Sequence, residues 1–260
     1  MQKGDGRNMK SFVQIEGPYN ESISVVINEA DTDEKQIAII MCYGMNGNRV
    51  CQHRLGVKLE RELENLGVSL IRFDYENVGT STGFFEASTI RQRIFDLEKV
   101  YDYVKYNLNY HKVYLLGFSD GARNVMQSQL KSVCDGLILW NPILGGVESE
   151  KGDKGVSRMI LHPFHRIAVK ELLGVGINMQ MLAEMKKDKS VFEIENINKP
   201  CMIVFGGGDS LSKDVQKYVQ EKNLSFLSVN YIEDADHLFN RKTWEEKAIK
   251  CTCDFVGGSL

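Results

Sequence analysis

The sequence predicts an α/β fold: a mostly parallel central sheet with helices on both faces and a small helical cap insertion. Three observations predict it. Short apolar runs alternate with amphipathic helical segments at steps of ~25–40 residues, the rhythm of strand–helix–strand units. The runs are continuous rather than alternating, as in strands covered on both faces. Glycines close several of them, at Gly44 and Gly47, at Gly117 and Gly121, and at Gly206, Gly207 and Gly208.

Taken in order, Met1 to Lys10 is polar and expected to be loosely ordered. Ser11 to Glu16 and Ser22 to Asn28 alternate like two antiparallel strands around a turn at Gly17-Pro18-Tyr19-Asn20. Gln36 to Tyr43 is a continuous apolar run suited to a central strand. Leu55, Leu59, Leu63 and Leu66 recur at helical spacing, and Gly67 ends that helix. Val68 to Phe73 is the next buried strand. Ser88 to Asn107 is a long amphipathic helix with Ile90, Ile94, Leu97, Val100 and Tyr101 on one face. Val113 to Leu116, Leu137 to Trp140 and Cys201 to Phe205 read as strands. Leu211 to Glu221 and Trp244 to Phe255 read as helices on either side of the strand Phe226 to Ile232. Between Pro142 and Lys199 strand signals are weak. Residues 146–192 are therefore expected to form a cap of short helices, with 1–145 and 193–260 as the core.

Composition sets the class. At 260 residues the chain suits one α/β domain with a small insertion. It is 43% hydrophobic and 26% charged, as a soluble globular protein is. A formal net charge of −3 gives no basis for a nucleic-acid or anionic-membrane partner. The six cysteines form no metal-type CxxC pair; Cys42, Cys134 and Cys201 lie in or beside apolar runs and read as core residues. Free thiols of this kind fit a reducing cytoplasm, the expected location. The first ten residues lack an apolar signal segment, and no run approaches the ~18 apolar residues of a membrane span.

Four strand ends carry candidate chemistry, because ligand groups in open parallel sheets gather at the carboxyl ends of strands. The first is Tyr43-Gly44-Met45-Asn46-Gly47-Asn48, a tight loop able to expose backbone N–H groups to a developing oxyanion. Its plain alternative is an ordinary strand-to-helix connection. The second is Gly117-Phe118-Ser119-Asp120-Gly121, a G-x-S-x-G between a strand and a helix, where the serine is held on a strained turn with its hydroxyl exposed. A helix N-cap is the plain alternative for Ser119, which the flanking glycines and the preceding strand make the lesser one. The third is Gly206-Gly207-Gly208-Asp209. Its carboxylate can orient a histidine, cap the helix starting near Leu211, or do both. The fourth is Glu233-Asp234-Ala235-Asp236-His237. Of five histidines, His237 alone follows a strand end in this way, and imidazole is the base a serine hydroxyl needs.

The order Ser119, Asp209, His237 is that of the α/β-hydrolases. Over residues 36–256 the chain resembles the small bacterial esterase and serine-aminopeptidase-like group of that superfamily, which includes cinnamoyl/feruloyl esterases and acyl thioesterases. Phe73-Asp74-Tyr75-Glu76-Asn77-Val78-Gly79-Thr80-Ser81-Thr82-Gly83 is similar to the group's FDYRGxGxSxG loop. The resemblance implies an α/β-hydrolase fold and a serine hydrolase of carboxylic esters or thioesters that works through an acyl-enzyme. It assigns Ser119 as nucleophile, Asp209 as acid, His237 as base, and the N–H groups of Met45 and Asp120 as oxyanion donors. It implies no metal and no organic cofactor, and a small acyl ester or thioester as partner; a homodimer is compatible with it. Tyr43, Trp140, Met159, Phe164 and Met181 are expected to line the substrate pocket, the last three from the cap. For any one of the cap residues, simple packing against the sheet is at least as good a reading. Acyl transfer to another acceptor, or ligand binding without turnover, is possible on the same scaffold.

The chain departs from the group at three points. Tyr43-Gly44 stands for His-Gly, Glu76-Asn77 for Arg-Gly, and Asp120 for an uncharged residue. A carboxylate at Asp120 either opposes negative charge in the oxyanion hole or is held outward by a cation such as Arg123.

Overall fold

The computed structural model describes residues 10–17, 21–30, 36–146, 159–161, 166–172 and 174–258. The continuous apolar runs become the middle of an eight-stranded sheet, because only a strand covered on both faces gains from being apolar throughout. Its members are β1 (Lys10–Glu16), β2 (Ser22–Asn28), β3 (Ile37–Cys42), β4 (Val68–Asp74), β5 (Lys112–Phe118), β6 (Gly136–Trp140), β10 (Cys201–Gly206) and β11 (Leu227–Ile232). Their order is β1-β2-β4-β3-β5-β6-β10-β11. The first hairpin alternates exposed and half-buried residues in β1 and adds antiparallel to β4. The remaining pairings are parallel. The turn expected at Pro18-Tyr19-Asn20 lies outside the described residues.

The crossovers are helical, as parallel strands require. Helix α1 (Leu55–Glu64) buries Leu55, Leu59 and Leu63 completely. Helix α2 (Ile90–Asp102) starts at Thr89, whose side chain accepts from Gln92 N–H, and runs into a single π-turn over Tyr103–Asn107. Then follow α3 (Asp120–Gln127) and α4 (Leu130–Val133); α6 (Lys213–Lys222) and α7 (Lys242–Gly257) come after the cap. Cys42, Cys134 and Cys201 lie in the core as free thiols, and burial pushes the Cys42 thiol up to about 12.

Strand order explains where a site can form. The chain passes from β3 to β4 on one side, then crosses back to lay β5 against the other side of β3. The loops leaving β3 and β5 therefore start at the carboxyl edge where the strand order reverses, the place where such sheets bind ligands. Cys42 pairs with Gly117 at this edge, which brings the loop after β3 beside the turn after β5.

The cap differs from its sequence reading. Residues 159–178 include a three-stranded antiparallel sheet: β7 (Met159–Leu161), β8 (Ala168–Leu172) and β9 (Val175–Asn178). A glycine with φ 77°, Gly174, turns β8 into β9. Val169, Val175 and Ile177 are β-branched and favour extended backbone, a preference that three- to five-residue strands display too briefly for periodicity to reveal. The Met-rich stretch does form a helix, α5 (Met179–Lys186), capped by Asn178 and followed by a 3₁₀ segment, Ser190–Asn196. The part of the expected cap at 147–158 and 162–165 lies outside the described residues. Among the described residues no helix is long and apolar enough to cross a membrane.

Candidate active site

The turn after β5 forces its central residue out of the common backbone regions. Ser119 has φ 59° and ψ −124°, a conformation costing on the order of 1–3 kcal/mol in an L-residue. The flanking glycines make the turn possible. A Cβ on Gly121 would lie 2.3 Å from the Cys42 carbonyl oxygen, and one on Gly117 would lie 2.5 Å from Ala122 Cα. Gly121→Ala is accordingly expected to destabilise the protein by about 1–3 kcal/mol, the usual cost of overpacking. Urea unfolding checks this, and an unchanged midpoint would contradict the close packing.

Ser119 occupies the N-cap position of α3 without making a side-chain cap bond. Its Oγ instead lies 2.7 Å from Nε2 of His237. On the far side of the ring, His237 Nδ1 is 2.8 Å from Oδ2 of Asp209. With Nδ1–H donating to the carboxylate, Nε2 is left as the acceptor for the serine hydroxyl. Residues 118 positions apart in sequence thus form one hydrogen-bonded line.

Asp209 serves two purposes. Oδ1 accepts from Leu211 N–H at 2.8 Å, and Oδ2 accepts from Ser212 Oγ at 2.6 Å as well as facing His237. Burial opposes its ionisation. The hydrogen bonds from His237, Ser212 and Leu211 outweigh that and hold its carboxyl below the usual aspartate value. Asn141, at the end of β6, ties the two loops together. Its Oδ1 accepts from Gly206 N–H at 2.6 Å, and its Nδ2 donates to the His237 carbonyl at 2.9 Å. His237 lies stacked beside Phe118, with ring centroids 6.1 Å apart.

The loop after β3 lies against the serine: a Cβ on Gly44 would be 3.1 Å from Ser119 Cβ. Met45 and Asp120 therefore flank Ser119 from two chain segments, and the Asp120 N–H belongs to the first turn of α3, where backbone donors have no partner within the helix. The Asp120 carboxylate is buried and bonded to Arg123, Nε to Oδ1 at 2.8 Å. Of the two fates open to Asp120 in sequence, the arginine-held one is what the fold contains.

Two residues expected in a substrate pocket are buried and bonded to other parts of the fold. Tyr43 is 1% exposed, and its hydroxyl accepts from Tyr75 N–H at 2.9 Å, bracing the loops after β3 and β4. Trp140 is fully buried and donates from Nε1 to Thr252 Oγ1 of α7, so its ring is taken up by packing against that helix. Met181 is buried with Ile90, Ile177 and Met185, against which the Met45 side chain packs. The Met159 backbone is in β7, its side chain is outside the described residues, and so is Phe164. Sequence reading missed Arg93 and Asp188, since a helical arginine and a loop aspartate carry no signal of their own.

The Glu76-Asn77 departure is also accommodated. Asn77 has φ 70°, the left-handed region that glycine favours and asparagine tolerates, and its Oδ1 accepts from Phe84 N–H. Glu76 is buried; burial, then Asp96 and Glu21 nearby, push its carboxyl up to about 8. A carboxyl raised on folding stabilises the fold while protonated, fully below its unfolded value of about 4.3 and no longer once pH has risen through the folded value. Glu76→Gln never ionises, so it is expected to gain stability relative to the native chain between about pH 5 and about pH 8.5. Urea unfolding at both values measures the gap, and a gap that fails to widen contradicts the raised carboxyl.

No family model and no curated protein matches the chain. Solved structures do. Ferulic acid-bound Est1E from Butyrivibrio proteoclasticus superposes with a TM-score of 0.75 at 18% identity, covering 94% of this chain and 99% of that one. An α/β serine hydrolase without lid from Xanthomonas campestris gives 0.64 at 18% identity, covering 96% and 95%. The chain has the α/β-hydrolase fold. A Pyrococcus furiosus esterase of that fold gives 0.68 at 19% identity, covering 96% of this chain and 92% of that one. Within the α/β-hydrolase fold, the serine, acid and histidine of this chain stand at the ends of β5, β10 and β11, held by the sheet's parallel register.

Proposed function

We propose that the protein is a serine hydrolase acting on a carboxylic ester or thioester. The observation that carries the reading is the continuous line from Ser119 Oγ through His237 to Asp209, at 2.7 and 2.8 Å, on a turn whose serine makes no cap bond. Among the structures of similar fold, Est1E binds ferulic acid and the Pyrococcus furiosus protein is an esterase, which favours an ester over other acyl compounds.

In this mechanism Ser119 Oγ attacks the acyl carbonyl while His237 Nε2 takes its proton. Asp209 holds the ring and stabilises the imidazolium that forms. The tetrahedral oxyanion accepts from the N–H groups of Met45 and Asp120, in the first turn of α3, whose helix dipole also favours negative charge. Collapse expels the alcohol or thiol, protonated by His237, and leaves an acyl-Ser119. Water then repeats the sequence and releases the acid. No step calls for a metal or an organic cofactor.

The intact protein should release nitrophenol from short acyl nitrophenyl esters and be labelled by a fluorophosphonate. Absence of both would overturn the reading. Product analysis in the presence of alcohols and thiols separates hydrolysis from acyl transfer.

A further inference from the structure

The two oxyanion donors of the proposed mechanism belong to different segments, and one of these is rich in glycine and asparagine. Two glycines and two asparagines occupy Gly44 to Asn48. The loop is braced at its ends: Tyr43 accepts from Tyr75 N–H, and Arg49 N–H donates to Asp74 Oδ1 at 2.8 Å. Between those braces, among the described residues, one side chain hydrogen-bonds to the loop backbone. Arg93 Nη2, from α2, donates to the Met45 carbonyl at 2.8 Å.

Arg93 is completely buried. Its guanidinium lies over the Tyr75 ring, 5.2 Å from the centroid, and its Nη1 is 3.9 Å from Asp120 Oδ2. Asp120 is bonded to Arg123, whose Nη1 donates to Asp188 Oδ2 at 2.5 Å. Asp188 follows α5 and also accepts from Gly145 N–H at 2.9 Å and from Ser190 Oγ at 2.8 Å. Alternating charges therefore run Arg93, Asp120, Arg123, Asp188, from the loop after β3 across the first turn of α3 to the cap. As a filler, Arg93 is a poor choice. A buried guanidinium with one bond to a neutral carbonyl and a carboxylate at 3.9 Å loses more hydration than an apolar side chain of equal length would. Such a departure from the most stable choice is typical of functional sites.

We propose that Arg93 is a positioning residue for the oxyanion hole: it holds the Met45 carbonyl and faces the Asp120 carboxylate, setting the two donor N–H groups relative to each other. The inference rests on the serine-hydrolase reading of the site. Arg93 touches no reacting atom. Its loss should loosen the Met45 peptide, and misplacement of a donor by about 1 Å costs up to about a hundredfold in rate.

The test uses the full chain and three variants, Arg93→Met, Arg93→Lys and the pair Arg93→Met with Asp120→Asn. The pair removes both charges, so no carboxylate is left facing an apolar side chain, and Arg123 keeps Asp188 as its partner. Expected results are a fall in kcat of about thirtyfold for Arg93→Met with KM within about threefold, and a parallel loss of affinity for a short trifluoromethyl ketone, whose serine adduct carries an oxyanion. Lysine should recover part of the loss, since its ammonium can reach the same carbonyl. The pair should remain as slow as Arg93→Met. Wild-type kcat in the pair would overturn the proposal, showing that the single variant suffered only from unbalanced charge. A loss confined to KM, or unchanged ketone affinity, would overturn it as well. Should Arg93→Met fail to fold, the pair carries the same comparison. A native chain inert to fluorophosphonate would instead remove the hydrolase reading itself, so the two failures are distinguishable.

Discussion

Ser119→Ala is expected to lower kcat/KM on a nitrophenyl ester by about 10⁴-fold or more and to abolish fluorophosphonate labelling, with the fold intact. Among the described residues, Ser119 Oγ is the one side-chain atom hydrogen-bonded to His237 Nε2, at 2.7 Å. In a serine–histidine–aspartate triad the three groups act as a unit, so on the proposed reading the others are of little use once the hydroxyl is gone. Alanine tolerates φ 59° no better than serine does, so the substitution neither relieves nor adds backbone strain. The serine side chain makes no helix-cap bond whose loss would weaken α3. The unfolding midpoint should therefore stay close to that of the native chain. Native-level turnover or labelling in the alanine variant would move the nucleophile elsewhere.

Asp209→Asn is expected to damage both rate and stability. The amide can present its NH₂ to Nδ1, turning the ring into the tautomer whose Nε2–H cannot accept the serine proton; a loss of about 10⁴-fold is the usual consequence. Stability falls because the carboxylate of Asp209 accepts from Ser212 Oγ and Leu211 N–H besides facing His237. Burial works against the ionised form, and these bonds together prevail, holding the carboxyl below its ordinary value. A carboxyl lowered on folding stabilises the protein above its unfolded value of about 3.9 and ceases to do so as pH falls through the folded value. The stability gap between native chain and variant should thus be full near neutral pH and narrow below about pH 4. Urea unfolding across that range, with kcat/KM at neutral pH, measures both effects. A gap that widens in acid would contradict the lowered carboxyl, and near-native turnover would remove Asp209 from the mechanism.

The serine, acid and histidine were legible because each follows a buried strand, and parallel register brings strand ends together whatever the helices between them do. Glycine made the meeting of the loop after β3 with the turn after β5 legible for a related reason: Gly44 can approach Ser119 and Gly121 can pass the Cys42 carbonyl only without a Cβ. The cap was not legible as strands. Met159–Leu161 and Val175–Asn178 are too short to show a period, and the methionines beside them favour a helix. Tyr43 and Trp140 were placed near the substrate by their position at strand ends. Which face such a residue presents depends on pleat and on what packs there: Tyr75 claims the Tyr43 hydroxyl, and Thr252 claims the Trp140 indole.

By itself the sequence determined the strand order of chemistry: a hydroxyl, a carboxylate and an imidazole at the ends of β5, β10 and β11, on a parallel sheet. Local patterns suffice for that, since strand runs and glycine turns are written in consecutive residues. Tertiary structure alone decided what surrounds them. Asp120 next to Ser119 is neutralised by Arg123, while Arg93 reaches it from α2 and Asp188 reaches Arg123 from the segment after α5. Charge pairing of this kind depends on distances between helices and loops far apart in the chain, and no spacing along the sequence encodes it.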